Sequence, residues 1–251
     1  MSTYEKLGSY LLFEKLSEDK FSKDFLAGQI SGSQIQQICI LKRLDPSLAT
    51  LPDFIQNLNQ EYEAVKTLSN PIVIKPTSLV QGKKEFAAVF DFVEGKTLRT
   101  VLTKCGQDGY PFTVEHALLV ASRLCTALEY IHSKKFNDQR LMHGYVSPET
   151  ILVTYDGEIR LQYLGLAHTL LKFSTGKEKL FHDYKSYLAP ELIENLKWDR
   201  SSDTYGAGLV LYEMLTGEVL DRTLDLDDTI EKALMNSNSG DKEPFPDDLK
   251  K

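Results

Sequence analysis

The sequence predicts an α+β protein in which a small antiparallel sheet with one helix precedes a larger, mainly helical part. Two patterns support this prediction. Apolar and polar residues alternate through the first third of the 251-residue chain, and from Thr113 onward the apolar spacing changes to about 3.6 residues. Hydrophobic residues make up 42% of the chain, which is enough for a sizeable core in one large domain or two small lobes.

Four segments of the first third have the alternation of strands, namely residues 10–16, 21–27, 35–42 and 85–93. Turn signals separate them at 31–33 (Ser-Gly-Ser) and 82–84 (Gly-Lys-Lys). One helix is expected between Pro52 and Pro71, where apolar residues recur at helical spacing: Leu58, Tyr62, Val65 and Leu68. A helix within a run of antiparallel strands indicates a small α+β lobe.

The second part begins with a long amphipathic helix, for which Thr113 is the expected N-cap. Its apolar stripe comprises Ala117, Leu118, Ala121, Leu124, Cys125, Leu128 and Ile131. Two short strands at 150–154 and 159–163 follow, joined at Asp156-Gly157, a strong hairpin signal. A further buried helix is expected over 205–215, and the polar end of the chain is expected to be loose.

Composition excludes several classes of function. The net charge of −7 argues against a nucleic-acid partner, which would require clustered Lys and Arg. Three widely spaced cysteines suggest neither a disulfide framework nor a zinc site, and they fit a reducing compartment. No apolar stretch is long enough to cross a bilayer. A cytoplasmic domain without membrane contact is therefore expected, and whether it is a piece of a longer protein stays open.

Six segments form an ordered series of motifs. They are 39–42 (Cys-Ile-Leu-Lys), 90–95 (Phe-Asp-Phe-Val-Glu-Gly), 143–150 (His-Gly-Tyr-Val-Ser-Pro-Glu-Thr), 163–165 (Tyr-Leu-Gly), 189–191 (Ala-Pro-Glu) and Asp203 with the glycines that follow it. In order and spacing they resemble the signature set of the eukaryotic-type Ser/Thr protein kinase family. The resemblance implies a two-lobed protein-kinase-like fold over residues 1–251, with an N-lobe at about 8–92, a C-lobe at about 96–236 and a polar tail at 237–251. It leaves open two expectations for the C-lobe, either that it is truncated or that it is stabilised differently from the family.

The resemblance points to four altered positions in the catalytic region. Tyr145 stands at the catalytic Asp position, Ser147 at the Lys position, Thr150 at the metal-binding Asn position and Tyr163 at the metal-binding Asp position. A phenol is neutral at pH 7 and does not replace a carboxylate as a metal ligand or base. Losing one transition-state contact costs about 10²- to 10³-fold in rate. The expectation is therefore a degenerate family member (a pseudokinase), not an enzyme, with no catalytic or metal-binding residue.

The nucleotide site of the family is also altered. The glycine-rich loop is replaced by residues 17–22 (Ser-Glu-Asp-Lys-Phe-Ser), so that two acids are expected to face the phosphates. Asp24 takes the place of a valine over the adenine, and Ile40 takes the place of a small alanine. No cofactor is therefore expected. Lys42 and Glu61 persist where the family has an ion pair, and this leaves open either weak ATP binding or a structural pair joining helix to sheet.

Two residues near the catalytic-loop motif are expected to have structural roles. Asp203 is expected to accept backbone N–H bonds near the catalytic loop, and His143 to pack in the core. Glu191 lacks the arginine that the family supplies from a later helix, since only one candidate helix, 227–236, follows. The other histidines, including His168, are assigned to surface or helix-end positions.

The leading functional prediction is a protein-binding scaffold or allosteric regulator in signalling, with an active kinase or a signalling complex as partner. Residues 44–54 and 170–185 are the candidate contact surfaces. The alternative is an ATP-binding Ser/Thr kinase or nucleotidyl transferase with a rearranged site, in which Lys42 binds nucleotide and Glu18, Asp19 or Asp24 is recruited for metal. A third reading is structural filler within a multidomain protein.

Overall fold

The protein was analysed as a computed structural model that describes residues 4–19, 21–32, 34–82, 85–110, 112–174, 185–195 and 198–220. An antiparallel sheet of six strands occupies the first part, in the order β1-β2-β3-β4-β7-β6. Its strands are β1 (Glu5–Leu7), β2 (Tyr10–Glu18), β3 (Ser22–Ser31), β4 (Gln34–Leu44), β6 (Pro76–Gln81) and β7 (Phe86–Asp91). The predicted strands are confirmed, with the short β1 and β6 added.

Helix α2 (Pro52–Val65) lies against this sheet and confirms the predicted helix. Pro52 occupies its first turn, where the missing N–H costs nothing, and Asp53 places a negative charge near its N-terminus. Phe54, Leu58 and Val65 form its buried face. A short helix, α1 (Pro46–Ala49), precedes it.

The second part contains five helices within the described ranges: α3 (Leu98–Asp108), α4 (Val114–Ser133), α5 (Ala167–Ser174), α6 (Pro190–Asn195) and α7 (Arg200–Thr216). A 3₁₀ turn (Lys185–Tyr187) precedes α6. Thr113 caps α4 as predicted, because its hydroxyl accepts a hydrogen bond from the His116 N–H. Helix α7 begins five residues before the expected start, because Asp199 and Ser202 form a reciprocal capping box there.

A second sheet has four strands, in the order β5-β12-β11-β8. It consists of β5 (Val73–Ile74), β8 (Gly95–Thr97), β11 (Ile151–Thr154) and β12 (Ile159–Gln162). The hairpin predicted at Asp156-Gly157 is confirmed. Gly157 has a φ of +84°, a left-handed conformation that glycine adopts readily. A small hairpin of β9 (Lys135–Phe136) and β10 (Gln139–Arg140) follows α4.

An apolar cluster connects the two parts of the molecule. Phe90 of the first sheet and Leu152 of the second belong to it, together with Phe54 and Leu58 of α2. A separate, larger core fills the helical part, and a third lies against the six-stranded sheet. The functional side chains described below lie at the junction that the first cluster forms.

A charged network around Arg99 ties α3 to the helical core. Its guanidinium donates to Glu149 at 2.7 Å, to Glu213 of α7 and to the Tyr187 hydroxyl at 2.5 Å. The Tyr187 hydroxyl in turn donates to Glu213, whose carboxylate is buried. Arg99 therefore compensates a carboxylate that would otherwise be costly to bury.

No helix in the described ranges is both long and apolar enough to cross a membrane. The candidate helix at 227–236 and the polar tail at 237–251 lie outside the described residues, as do positions 175–184 of the candidate contact surface at 170–185.

Candidate functional site

Adjacent strands of the six-stranded sheet place a carboxylate and an ammonium group side by side. The pair lies where this sheet meets the four-stranded sheet, a place called the cleft below. Asp24 of β3 and Lys42 of β4 are directly opposite in the antiparallel register, so their side chains lie on the same face of the sheet. The Lys42 Nζ lies 2.8 Å from Asp24 Oδ1, and each residue is only 6% exposed. Ser17 of β2, opposite Asp24 on its other side, donates its hydroxyl to Asp24 Oδ2 at 2.9 Å.

Tyr163 reaches the same pair from the second sheet. It follows β12 directly, and its hydroxyl donates to Asp24 Oδ2 at 3.0 Å. The Lys42 Nζ lies 4.4 Å from the centre of the Tyr163 ring, a cation–π contact. The ring also packs edge to face on Phe90, with centroids 5.3 Å apart. Asp24, Lys42 and Tyr163 are called the cleft cluster below.

The cleft cluster is electrostatically consistent with a protonated lysine. Burial by itself lowers the pKa of Lys42, but the charge and the hydrogen bond of Asp24, together with the electrostatic effects of Tyr163 and Asp19, outweigh it, and the pKa lies above its usual value. Burial raises the pKa of the Tyr163 phenol, so the hydroxyl is neutral and serves as a donor at physiological pH. One positive and one negative charge thus remain, both satisfied by partners inside the protein.

The predicted pair of Lys42 with Glu61 is wrong in this structure. Glu61, on α2, instead lies 2.7 Å from Nδ1 of His168 on α5. Helical periodicity locates Glu61 on the helix but does not determine which residue its carboxylate contacts, and Asp24 is already opposite Lys42 in the sheet. His168 is not simply a surface residue, since its ring also packs against Trp198 at a centroid distance of 4.9 Å.

The catalytic-loop positions are held by their own hydrogen bonds. Thr150 Oγ1 accepts from the Ser147 N–H at 3.0 Å and lies 3.1 Å from the Tyr145 carbonyl, to which it donates. Tyr145 is buried in the helical core. The Ser147 Oγ is buried and has no hydrogen-bond partner in the described part of the chain. The Thr150 hydroxyl is therefore used within the loop, whereas the buried Ser147 hydroxyl makes no hydrogen bond in the described part of the chain.

Asp203 fulfils its predicted role. Its carboxylate accepts the backbone N–H groups of His143 and Gly144, each at 2.8 Å. It also contacts Nε2 of His132 at 2.8 Å, near the end of α4, a contact that the sequence did not indicate. His143 is fully buried, and burial lowers the pKa of its imidazole, which fits packing rather than proton transfer.

Gly144 is required by the local geometry. Its φ is +87°, and a Cβ atom there would lie 2.7 Å from Cβ of His168. The position therefore excludes an arginine for two reasons, the backbone conformation and the close approach of α5.

The expectation that two acids face the phosphates is wrong. Glu18 is exposed and pairs with Lys15 and Lys23. Asp19 instead accepts the backbone N–H groups of Phe21 and Ser22, at 2.7 and 2.8 Å, and so closes its own turn. The buried Phe21 ring follows this turn into the apolar cluster that connects the two parts.

Glu191 has a partner that the sequence did not reveal. The Ser202 hydroxyl donates to its Oε1 at 2.9 Å. A hydroxyl from the first turn of α7 thus supplies a hydrogen bond to the carboxylate that was expected to lack an arginine.

The residues present do not fit a magnesium–nucleotide complex in this arrangement. The Lys42 ammonium is paired inside the protein, and the hydroxyls of Tyr163 and Thr150 are used in internal hydrogen bonds. Ile40, which stands where the family has a small alanine, packs with Leu152 in one apolar cluster. Among the described residues, no group of three His, Cys, Asp or Glu side chains is placed to hold a metal ion.

The resemblance placed Asp24 where the family has a valine but did not identify Lys42 or Tyr163 as its partners. The turn at 31–33 did not reveal the register of β3 with β4, because an irregularity between Gln29 and Ile30 shifts the pairing by one residue and brings residue 24 opposite 42 instead of 41. The contact with Tyr163 spans 139 residues, and local pattern holds no information about it.

The comparisons with known proteins agree with the fold and the motifs. Residues 27–249 match the family described as Protein kinase domain, and the chain belongs to this family. Tyrosine-protein kinase MasK of Myxococcus xanthus is 23% identical over 83% of this chain and 33% of its own length. Human ribosomal protein S6 kinase alpha-3 is 27% identical over 82% of this chain and 26% of its own length. The chain thus spans a third or less of these curated relatives.

A solved structure confirms the two-lobed kinase-like fold. The PknI kinase domain of Mycobacterium tuberculosis superposes with a TM-score of 0.69 at 20% identity, covering 90% of this chain and 82% of that one. The predicted fold class and family are therefore both confirmed.

These comparisons contradict the expectation that the chain is not an enzyme. The family is that of the protein kinases, and the curated relatives are named as Ser/Thr and tyrosine kinases, which points to an enzyme. Membership of the family also implies ATP binding, in agreement with the weak binding that the sequence left open.

Proposed function

We propose that this chain is a signalling domain of the protein kinase family that acts through contacts with other proteins, as a scaffold or as an allosteric regulator. The cleft cluster is the observation that supports this proposal. Lys42, the basic group of the cleft, is buried and engaged by Asp24 and Tyr163. In this arrangement the domain presents a folded surface rather than an open nucleotide site.

The proposed partners are proteins, namely an active kinase or a signalling complex. A net charge of −7 does not favour nucleic acid. We propose a cytoplasmic location and a single kinase-like domain, with its N-lobe at about 8–92, its C-lobe at about 96–236 and a tail at 237–251. The approach to α2 over residues 44–54 is the proposed contact surface, and Leu51 is exposed there.

A second candidate function is an ATP-binding Ser/Thr kinase or nucleotidyl transferase that works after a rearrangement of the site. Membership of the kinase family and the presence of Lys42 on β4, facing the cleft, favour it. For this function Lys42 must leave Asp24, and Glu61 must leave His168 to become its proposed partner.

The first candidate is tested by purifying the tagged full chain from its native cells after cross-linking. A Leu51→Glu variant changes the proposed contact surface, and Tyr155→Glu, at a highly exposed tyrosine on another strand end, is the control. A stoichiometric protein partner is expected with the natural sequence and the control but not with Leu51→Glu. Recovery of no partner, or equal recovery with all three proteins, would contradict the proposal.

The second candidate is tested by thermal shift with ATP, with and without Mg²⁺ or Mn²⁺. Ligand at 100 times its Kd adds roughly 2.7 kcal/mol to the free energy of unfolding. A metal-dependent shift, together with transfer of labelled γ-phosphate that Lys42→Ala abolishes, would establish this function. Absence of both with folded protein would refute it.

A further inference from the structure

We infer that the cleft cluster is an autoinhibitory contact in which Asp24 and Tyr163 together hold the Lys42 ammonium away from nucleotide phosphate. The inference deepens the proposed function, and rests on it, by naming what regulates access to the cleft.

The Asp24 carboxylate is fully engaged in this contact. Oδ1 accepts from Lys42, and Oδ2 accepts from the hydroxyls of Ser17 and Tyr163. Three donors from three different elements thus surround one buried carboxylate. A nucleotide phosphate that approaches Lys42 has to displace a carboxylate that is already in hydrogen-bond contact and shielded from water.

The same contact joins the two parts of the domain. Asp24 lies in the six-stranded sheet, whereas Tyr163 follows β12 of the other sheet. Tyr163 has a φ of +69°, a conformation that residues other than glycine rarely adopt. Such a conformation persists only where surrounding contacts hold it, and here those contacts are Asp24, Lys42 and Phe90.

Weak nucleotide binding follows from this arrangement. When only a fraction of molecules is in the binding-competent state, the apparent Kd equals the intrinsic Kd divided by that fraction. Loss of either partner of Lys42 raises the open fraction and therefore lowers the apparent Kd for nucleotide.

The test is a titration of the full chain with a fluorescent ATP analogue, with and without Mg²⁺. Asp24→Asn removes the negative charge with little change in shape, and Tyr163→Phe removes only the hydroxyl. The controls are Asp108→Asn, at the end of α3, and Tyr155→Phe, which alter the same residue types outside the cleft. The expected result is an apparent Kd at least about tenfold lower for Asp24→Asn and several-fold lower for Tyr163→Phe, with no change for the controls.

The inference would be overturned if either folded cleft variant bound the ATP analogue with the same apparent Kd as the natural sequence. If Asp24→Asn does not fold, as judged by circular dichroism, Tyr163→Phe decides alone, because it retains both charges. The partner capture described above is measured on the same proteins. A captured partner with unchanged Kd refutes only the autoinhibitory contact, whereas a lowered Kd without any partner refutes only the proposed function.

Discussion

Removing one partner of the buried ion pair between Lys42 and Asp24 is expected to lower the stability of the protein strongly. Lys42→Met leaves the Asp24 carboxylate buried with only the hydroxyls of Ser17 and Tyr163. Removing one partner of a buried pair costs about 3–5 kcal/mol, because the remaining charge is no longer compensated. Replacing both partners at once, as in Lys42→Met with Asp24→Leu, removes that charge as well, and most of the lost stability is expected to return.

The geometry supports a cost of this size. With Nζ and Oδ1 2.8 Å apart, Coulomb's law at an effective dielectric constant of about 20 gives an attraction of roughly 6 kcal/mol. The desolvation of two side chains that are each less than a tenth exposed offsets part of it. The pair that the sequence predicted, Lys42 with Glu61, has no such contact, so its coupling energy is expected to be within about 0.5 kcal/mol of zero.

The assay is urea unfolding at pH 7, followed by circular dichroism, for the single and double variants of both pairs. The raised pKa of Lys42 means that its contribution is fully present below about pH 10 and is lost only as the pH rises through the folded-state value. A cost below about 1 kcal/mol for Lys42→Met, or a larger coupling with Glu61 than with Asp24, would refute the reasoning.

Three further outcomes are expected elsewhere in the molecule. Gly144→Ala combines a strained left-handed conformation with a contact of 2.7 Å, and it should lower stability by about 2 kcal/mol or more; an unchanged melting temperature would contradict this. Glu213→Ala strands part of the Arg99 network in the helical core and is expected to cost about 3 kcal/mol in urea unfolding, so a loss below about 1 kcal/mol would show that the network is dispensable. The pKa of the buried Cys39 thiol is raised to about 11 by burial, so iodoacetamide at pH 8 should modify exposed Cys125 and leave Cys39 intact by mass spectrometry; equal labelling would show that the sheet opens readily.

Much of the fold was predictable because its signals are local. Alternation gave the strands of the first sheet, and the apolar stripe after Thr113 gave α4. The order of six motifs predicted the kinase fold before any contact was known. The start of α7 was not predictable from hydrophobicity, because its first turn is polar and is fixed by the capping box of Asp199 with Ser202.

The candidate site was predictable only in its residue types. The resemblance marked Asp24 and Tyr163 as departures from the family and Lys42 as a retained residue, but their mutual contact depends on strand register and on the packing of two sheets. The pairing of Glu61 with His168 likewise depends on how α2 and α5 pack. Hydrogen bonds between residues more than 100 positions apart leave no periodic signal in a single sequence.

The most direct test of the account uses an ATP acyl phosphate, which transfers its acyl group to a lysine amine lying beside the bound phosphates. Mass spectrometry then measures the labelled fraction of Lys42 in the natural sequence and in Asp24→Asn. The account predicts little labelling of Lys42 in the natural sequence and strong labelling in the variant, suppressed by excess ATP. Near-complete, ATP-protected labelling of Lys42 in the natural sequence would contradict it.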